Sequence, residues 1–204
     1  MEALITKSQT RRNTLVQATI TEVDARAAVT LLLKYIGEDP DREGLVDTPK
    51  RVCKALWEMT RGSKLDPKAI LATQFTEACD EIVILNGIRF TSLCEHHLLP
   101  FVGTASVGYI PAKAVVGLSK LARLVECFAQ RPQLQERLTN QVAQALMDHT
   151  GARAAGVIVR ARHECMACRG VRQLDATMVT SSMLGMFRDD SNARMEFLTL
   201  AKEH

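Results

Sequence analysis

The apolar residues of this chain recur with two different periods, and this change of period restricts the fold more than any other feature. They follow helical spacing in the first third and in two segments after residue 117, and they alternate as in strands in the middle and near the end. No internal repeat and no linker rich in Gly, Ser or Pro divides the chain. This order of helix pair, strands, second helix pair and further strands predicts an α+β protein with a mainly antiparallel sheet.

The first third is predicted to be helical. Thr21 and Asp24 have the spacing of a helix cap, and Thr48-Pro49 combines a capping hydroxyl with a proline suited to the first helical turn. We therefore expect two helices in this part of the chain. On this basis residues 1–75 are assigned to an N-terminal helical extension, and residues 76–204 to one functional domain.

Asn86-Gly87 is a strong hairpin signal, because these residue types tolerate the positive φ angles of a two-residue turn. We expect it to join two strands, at 81–85 and 88–93. Further strands are predicted at 102–110, 154–164 and 178–183, and further helices at 118–128, from Pro132 and from Ser191. The apolar stripe predicted for the helix at 118–128 comprises Leu118, Leu121, Leu124, Val125 and Phe128.

The composition is that of a globular protein and excludes several classes of partner. Among 204 residues, 47% are hydrophobic and 4% aromatic, and the net charge is only +3, so a nucleic-acid-binding surface is not expected. No apolar run approaches the ~20 residues that cross a bilayer, and the N-terminus lacks the apolar core of a signal peptide. We expect a cytoplasmic protein without a membrane partner, whose six cysteines are reduced.

Cysteine and histidine are concentrated in two short segments. The first offers Cys94 and His97 three residues apart, a spacing that allows one turn to close around a metal ion. The second offers Cys165, which strand alternation would place on the same face as His163. Three nitrogen and sulfur ligands with one open position are typical of catalytic zinc, so Glu95 is expected to be structural. The alternative is a set of buried thiols and hydrogen-bonded histidines, and the presence of two clusters favours the metal.

Basic residues recur on the predicted helices and beside the second cluster, and they are compatible with two roles. They are Arg51, Lys54, Lys120, Arg123 and Arg169. Pairs three residues apart share one helical surface, and such pairs are most often solvated. If these cations converge, they would suit a polyphosphate, and sequence spacing alone does not decide between the two roles.

Gln135 and Glu136 follow Pro132 near the start of a predicted helix. A glutamate in the first helical turn interacts favourably with the helix dipole, and the same carboxylate can accept two N–H groups from the edge of a base such as guanine. Both interpretations stay open at this point. A zinc nucleobase deaminase is excluded, because neither of its motifs, H-x-E and P-C-x-x-C, occurs.

Four longer motifs stand in a fixed order along the chain. They are C-E-H-H at 94–97, G-L-S-K-L-A-R at 117–123, R-P-Q-L-Q-E-R-L at 131–138 and H-x-C-M-x-x-R-G at 163–170. Together they resemble GTP cyclohydrolase I. The likeness runs from T-P-x-R-x-x-K at 48–54 to T-S-S-x-x-G-x-F at 180–187 and covers roughly two-thirds of the chain.

The resemblance implies hydrolytic opening of the guanine imidazole ring of GTP, which releases formate and gives 7,8-dihydroneopterin triphosphate. It implies a zinc ion bound by Cys94, His97 and Cys165. Cys168 forms a C-x-x-C pair with Cys165 that the family does not need. We predict that Cys168 is not a ligand, because a fourth protein ligand would fill the position that the attacking water needs.

The resemblance also implies roles for the residues around the metal. His163 would protonate N7 of the purine, His96 would assist proton transfer, and Ser119 would join them in the catalytic set. Gln135 and Glu136 would hold the guanine edge. Ribose and triphosphate would be bound by Ser119, Lys120, Arg123, Arg169, Arg51 and Lys54.

The fold implied by the resemblance is the tunnelling fold, an antiparallel sheet backed by two helices. Five such sheets would close a barrel, and two rings would stack into a homodecamer with active sites between subunits. Closing the sheets in this way would remove their exposed edges. Arg51 and Lys54 would then complete the site of a neighbouring subunit.

Two other interpretations are compatible with the same motifs. One is a tunnelling-fold relative that acts on another purine or pterin, such as a nitrile reductase with a nucleophilic cysteine and no zinc. The other is a paralogue that assembles or regulates without catalysis. Stoichiometric zinc would argue against the first, and release of formate from GTP would exclude the second.

Overall fold

The computed structural model describes residues 20–202, and the fold is α+β as predicted. The chain divides into two compact units, with the boundary after Trp57. The assignment of 1–75 to a helical extension and 76–204 to a functional domain stays a prediction. Within the described residues, no helix combines the length and the apolar character needed to cross a bilayer.

The first unit contains the predicted helix cap. Helix α1 (Glu22–Tyr35) begins after Thr21, whose Oγ1 accepts a hydrogen bond from the Asp24 N–H at 3.2 Å. The Asp24 carboxylate accepts in return from the Thr21 N–H at 2.9 Å, so the reciprocal capping box is complete. Helix α2 (Thr48–Thr60) begins at Thr48, the residue predicted to cap it and one residue before the predicted first helical position, and the boundary between the units falls within it.

The second unit is built on a five-stranded sheet. The described strands of this unit, five of which form the sheet, are β1 (Gln74–Phe75), β2 (Val83–Cys94), β3 (Pro100–Ile110), β4 (Val115–Val116), β5 (Pro132–Gln133), β6 (Ala154–His163) and β7 (Met178–Gly185). Its helices are a 3₁₀ turn (Arg61–Lys64), α3 (Pro67–Leu71), α4 (Leu118–Ala129), α5 (Gln135–Thr150), α6 (Glu164–Ala167), α7 (Met186–Asp189) and α8 (Ser191–Leu200). The strand order is β5-β2-β3-β6-β7, antiparallel except for the short β5, and β1 pairs separately with β4.

The predicted hairpin at Asn86-Gly87 is wrong, because β2 runs through both residues as one strand. Residues on either side pair with the same neighbour, and the register shifts by one residue between Leu85 and Ile88. Gly87 has a φ of +67°, so the left-handed residue forms a bulge instead of a turn. The Asn86 side-chain amide donates a hydrogen bond to the Leu200 carbonyl at 2.8 Å, which ties the bulge to the C-terminal helix.

Helices α4 and α5 cover one face of the sheet and bury the main apolar core, as expected for an antiparallel sheet backed by two helices. The predicted stripe of α4 is confirmed except at Leu118, which is 64% exposed at the start of the helix. Helix α5 begins at Gln135 and not at Pro132, because Pro132 and Gln133 pair with the end of β2. This pairing fixes the start of α5 beside Cys94.

The other face of the sheet carries a smaller core under the C-terminal helices α7 and α8. Phe197 is fully buried there, and its ring lies only 2.8 Å from where a β-carbon on Gly108 or Gly156 would stand. These two glycines on adjacent strands therefore let the aromatic ring approach the backbone of the sheet.

Strand β6 ends at His163, two residues before Cys165. The prediction that Cys165 alternates with His163 on one strand face is therefore wrong. From Glu164 the chain forms the helical turn α6, which is closed by a hydrogen bond from the Cys168 N–H to the Glu164 carbonyl at 3.0 Å. Cys165 is thus positioned by a turn at the end of the sheet.

Candidate metal centre and active site

The first cysteine and histidine segment forms a tight turn after β2. The Leu98 N–H donates to the Cys94 carbonyl at 2.8 Å, and the Cys94 N–H donates to the Leu99 carbonyl at 2.8 Å. Leu98 has a φ of +53°, which lets the chain reverse within this short segment. The turn brings His97 Nδ1 to 3.7 Å from Cys94 Sγ.

Cys165 joins this pair and completes a three-ligand group. The donor atoms of Cys94, His97 and Cys165 all lie within 4.8 Å of one another. A tetrahedral zinc ion with bonds of about 2.0–2.3 Å needs donors somewhat less than 4 Å apart, so a small adjustment brings this set to ligation distance. Among the described residues the group contains Cys165 and not Cys168, which is exposed at the end of α6.

The electrostatics of the three groups suit a cation. Burial raises the pKa of the Cys165 thiol, and the neighbouring Cys94 raises it further, because two adjacent thiolates repel each other. Burial also lowers the pKa of His97, with added repulsion from Arg169 and His96, so its imidazole is neutral at pH 7. A bound divalent ion would stabilise both thiolates and accept the lone pair of a neutral imidazole.

Among the described residues, Glu95 lies outside this group and forms a two-point ion pair with Arg137. Its carboxylate oxygens lie 2.5 Å and 3.2 Å from the two terminal guanidinium nitrogens. The hydrogen bond from Arg137 lowers the pKa of Glu95, so the carboxylate is ionised at neutral pH. The pair ties the turn that carries Cys94 and His97 to the first turn of α5, and the structural role of Glu95 stays a prediction.

His163 lies at the end of β6 with both its ring plane and one ring nitrogen fixed. Its ring stacks on Phe101, with centroids 4.5 Å apart and an angle of 4° between the planes. Its Nε2 lies 2.8 Å from the side-chain oxygen of Gln135. Burial lowers the pKa of His163, and the negative charge of Glu136 acts in the opposite direction.

Gln135 and Glu136 differ in environment although they are adjacent. Gln135 is 1% exposed, and its amide nitrogen donates to the carbonyls of Val159 at 3.1 Å and Met178 at 3.0 Å. Glu136 is exposed in the first turn of α5, close enough to His163 to act on its pKa. In the described structure, His163 therefore contacts Gln135 and lies within electrostatic range of Glu136, whereas Arg169 lies within electrostatic range of His97 and Cys165.

The other predicted substrate-binding residues lie elsewhere. Ser119 and Lys120 lie in the first turn of α4, and Arg123 follows one turn later and lines a cavity of about 670 Å³ together with Arg89. Among the described residues that line this cavity, none belongs to the three-ligand group. In the first unit, Arg51 pairs with Asp47 at 3.1 Å, and Lys54 is exposed on the same helix. His96 is exposed beside His97.

The sequence interpretation missed Phe101 and Arg137. Phe101 stands directly opposite His163 in the antiparallel pair of β3 and β6, so the strand register would have identified it had the register been known. Arg137 lies next to Glu136, and only the course of the chain after β2 brings Glu95 towards it.

Comparison with known proteins identifies the family to which the sequence is similar. The sequence profile of the family described as GTP cyclohydrolase I matches residues 25–202. A GTP cyclohydrolase 1 of Nitrosospira multiformis is 51% identical over 175 residues, covering 85% of this chain and 92% of that protein. One from Corynebacterium glutamicum is 48% identical over 185 residues, covering 90% of this chain and 94% of that protein. Among solved structures, an archaeosine synthase QueF-Like in the apo form covers 51% of this chain and 93% of its own, with 19% identity and a TM-score of 0.43.

Proposed function

Because this chain belongs to the GTP cyclohydrolase I family, we propose that it hydrolyses GTP to 7,8-dihydroneopterin triphosphate and formate, the first step of pterin and tetrahydrofolate synthesis. The observation that carries the proposal is the Cys94, His97 and Cys165 group, whose Cys165 lies two residues after the half-buried His163 at the end of β6. A three-ligand metal group beside a fixed histidine is what hydrolysis at a purine carbon requires.

Zinc is the proposed metal, held by Cys94, His97 and Cys165. Two thiolates and one imidazole match the ligand preference of zinc, and three protein ligands leave one coordination position open. When bound, the ion would supply Lewis-acid activation of the water that attacks C8 of the purine. Glu95 supports the turn through Arg137 and does not contribute a fourth ligand.

His163 is the proposed acid at the purine ring. C8 of a neutral purine is a poor electrophile, and a proton placed on N7 makes attack at C8 feasible. The nearby carboxylate of Glu136 favours the protonated form of His163, because it raises the pKa that burial lowers. His96, exposed next to His97, would assist proton transfer to and from solvent.

Glu136 is the proposed recognition residue for the guanine edge. Its carboxylate is exposed at the start of α5, where it can accept hydrogen bonds from N1–H and the 2-amino group of the base. Gln135 was assigned to the same edge by the resemblance. Its amide is engaged inside the protein, so we assign recognition to Glu136 and treat Gln135 separately below.

The triphosphate is proposed to bind between subunits of a cytoplasmic homo-oligomer, most simply the decamer that the resemblance implies. Its proposed ligands are Ser119, Lys120, Arg123, Arg169, Arg51 and Lys54. Of these, Arg169 lies close enough to affect the pKa of His97, whereas Arg123 lines a cavity without the three-ligand group. Contributions from a second copy would bring the remaining cations to the triphosphate. Anchoring the triphosphate would hold the purine at the metal through binding energy remote from C8.

The proposal is tested by incubating the zinc-loaded protein with GTP and measuring both formate and the fluorescence of oxidised neopterin. We expect the two products in equal amounts. 7-Deaza-GTP is the matched control substrate, because it retains the guanine edge and triphosphate but has no N7 to protonate. We expect this analogue to bind without turnover. Absence of formate from GTP, with zinc bound and the oligomer intact, would overturn the proposed activity.

A further inference from the structure

We propose that Gln135 is a positioning residue that holds His163 by its Nε2–H, so that Nδ1 is the nitrogen that exchanges the proton with substrate. The inference rests on the proposed role of His163 as the acid at N7. It assigns Gln135 a function other than contact with the guanine edge. The starting observation is that both ends of the Gln135 amide are engaged inside the protein.

The orientation of this amide follows from its partners. Two backbone carbonyls, of Val159 and Met178, lie 3.1 Å and 3.0 Å from one end of it. A carbonyl oxygen cannot donate a hydrogen bond, so the end of the Gln135 side chain that faces them must be the NH₂ group. The amide oxygen therefore faces His163 Nε2, at 2.8 Å.

A pair of hydroxyls, buried at Thr139 and half-buried at Thr180, secures this orientation. The Thr139 hydroxyl donates to the Gln135 backbone carbonyl at 2.7 Å, so it is left as an acceptor for Thr180, 2.7 Å away. The Thr180 hydroxyl then accepts from the Gln135 amide nitrogen at 3.2 Å. Reversing the amide would set its oxygen against two carbonyls and break this chain of hydrogen bonds, so one orientation is strongly favoured.

The tautomer of His163 is a consequence of this arrangement. An amide oxygen only accepts, so His163 Nε2 must carry a hydrogen in the neutral ring as well as in the protonated ring. Stacking on Phe101 fixes the plane of the imidazole, and a half-turn about the Cβ–Cγ bond within that plane would place Cε1, not Nδ1, beside Gln135. In the proposed reaction, the proton therefore leaves Nδ1 for N7 of the purine, and His163 is left as the neutral Nε2–H tautomer.

Direct contact between Gln135 and guanine would require Gln135 to give up its hydrogen bonds inside the protein. The side chain is 1% exposed, and reaching a base would remove its bonds to His163 and to two strands. Glu136, the next residue, is exposed, and within residues 20–202 its side chain makes no such hydrogen bonds. The two adjacent residues therefore have different roles: Glu136 binds the base, and Gln135 orients His163.

The first test compares Gln135→Met with Glu136→Gln in zinc-loaded protein. Methionine keeps most of the volume of glutamine and removes the acceptor for His163. We expect kcat to fall about 10- to 100-fold, a substantial part of the effect of a general acid, while KM for GTP changes less than about twofold. Glu136→Gln should instead raise KM. A Gln135→Met variant with raised KM and unchanged kcat would overturn the proposal in favour of a guanine contact.

A second measurement uses the wild-type protein and holds even if Gln135→Met fails to fold. Nitrogen-15 spectra are recorded from zinc-loaded protein labelled in its histidine rings. The signals of His163 are assigned by comparison with the His163→Gln variant. The spectra report which nitrogen carries the hydrogen in the neutral ring. We expect Nε2–H for His163, and an Nδ1–H tautomer would overturn the proposal. This spectrum does not depend on turnover, so an inactive protein with the Nε2–H tautomer would refute the proposed function and leave the hydrogen bond established.

Discussion

At the scale of single residues, two cysteines three positions apart have different environments. Cys165 lies inside the turn α6, with its sulfur near Cys94 and His97, whereas Cys168 ends that turn and is exposed. Burial and the adjacent thiol raise the pKa of Cys165, so it needs a cation to become a thiolate at neutral pH. The same C-x-x-C sequence therefore contains one candidate ligand and one residue outside the group.

We predict that Cys165→Ser loses zinc and activity together, because it removes one of three ligands. Cys168→Ala is the matched control and should keep roughly one zinc per subunit and most of the activity. Metal analysis of both purified variants, with formate release measured on the same samples, checks the prediction. Zinc kept in the Cys165 variant and lost in the Cys168 variant would reverse the assignment.

Glu136→Ala should lower kcat/KM for GTP at least about 100-fold, because loss of the carboxylate leaves two base donors without acceptors. The effect should be much smaller for ITP, which lacks the 2-amino group. Zinc content should not change. Gln144→Ala, an exposed change on the same helix, is the control. Equal discrimination between GTP and ITP in wild type and Glu136→Ala would show that Glu136 is only a charge at the helix end.

At the scale of secondary-structure elements, Tyr109 joins the end of β3 to β4. Its side chain is fully buried, and its hydroxyl accepts a hydrogen bond from the Val116 N–H at 2.6 Å. Burial raises the pKa of this phenol. The folded protein therefore keeps the proton at a pH where the unfolded chain has lost it, so this group stabilises the fold less as the pH rises above about 10.

Tyr109→Phe should destabilise the protein by about 1–3 kcal/mol at pH 8, because the buried Val116 N–H is left without an acceptor. The difference from wild type should shrink above about pH 10, where ionisation of the phenol favours the unfolded wild-type chain. Urea unfolding followed by circular dichroism measures both effects. Tyr35→Phe is the control, because Tyr35 is 87% exposed. Equal stability of wild type and Tyr109→Phe at pH 8 would contradict the account.

The elements that local patterning could predict are those in which local and tertiary preferences agree. The Thr21 cap, the start of α2 and the strands β3 and β6 follow from residue types and period alone. The hairpin prediction at Asn86-Gly87 failed because a left-handed glycine fits a bulge as well as a turn. Only the pairing of β2 with β3 decides between the two. The predicted helix start at Pro132 failed for a similar reason, since Pro132 pairs with β2, which lies in a distant part of the sequence.

The site was predictable to a similar extent. Its metal-binding group follows from residue types that are rare together, and the structure brings all three side chains within ligation range after a small adjustment. The partners of His163 were not predictable, because Phe101 and Gln135 reach it only through strand register and the position of α5. The resemblance identified Gln135 as a site residue. It could not show that the amide nitrogen is hydrogen-bonded to β6 and β7 and the amide oxygen to His163.

At the scale of the whole molecule, the proposed cations are divided between parts of the chain. Arg169 lies near the metal group, Arg123 lines a different cavity, and Arg51 pairs with Asp47 in the first unit. We predict a large symmetric homo-oligomer that assembles complete sites from more than one copy. Light scattering combined with activity measurements tests this, and a fully active species of 22.6 kDa would contradict it.

A mixed-oligomer experiment tests whether sites are shared. Arg51→Ala should be inactive if Arg51 binds triphosphate, and Cys165→Ser should be inactive for lack of metal. Oligomers reassembled from both variants should regain part of the activity, because some sites then combine an intact Arg51 with an intact Cys165. No recovery in confirmed mixed oligomers would place both residues in one subunit's site.

The central claim is that one zinc ion at Cys94, His97 and Cys165 makes this protein a GTP hydrolase, and a zinc titration of the metal-depleted protein tests it most directly. We predict that formate and 7,8-dihydroneopterin triphosphate appear in equal amounts. Their rate of formation should rise in proportion to added zinc and level off near about one ion per subunit. Full turnover in the metal-depleted protein, or one bound zinc per subunit without formate from GTP, would contradict the account.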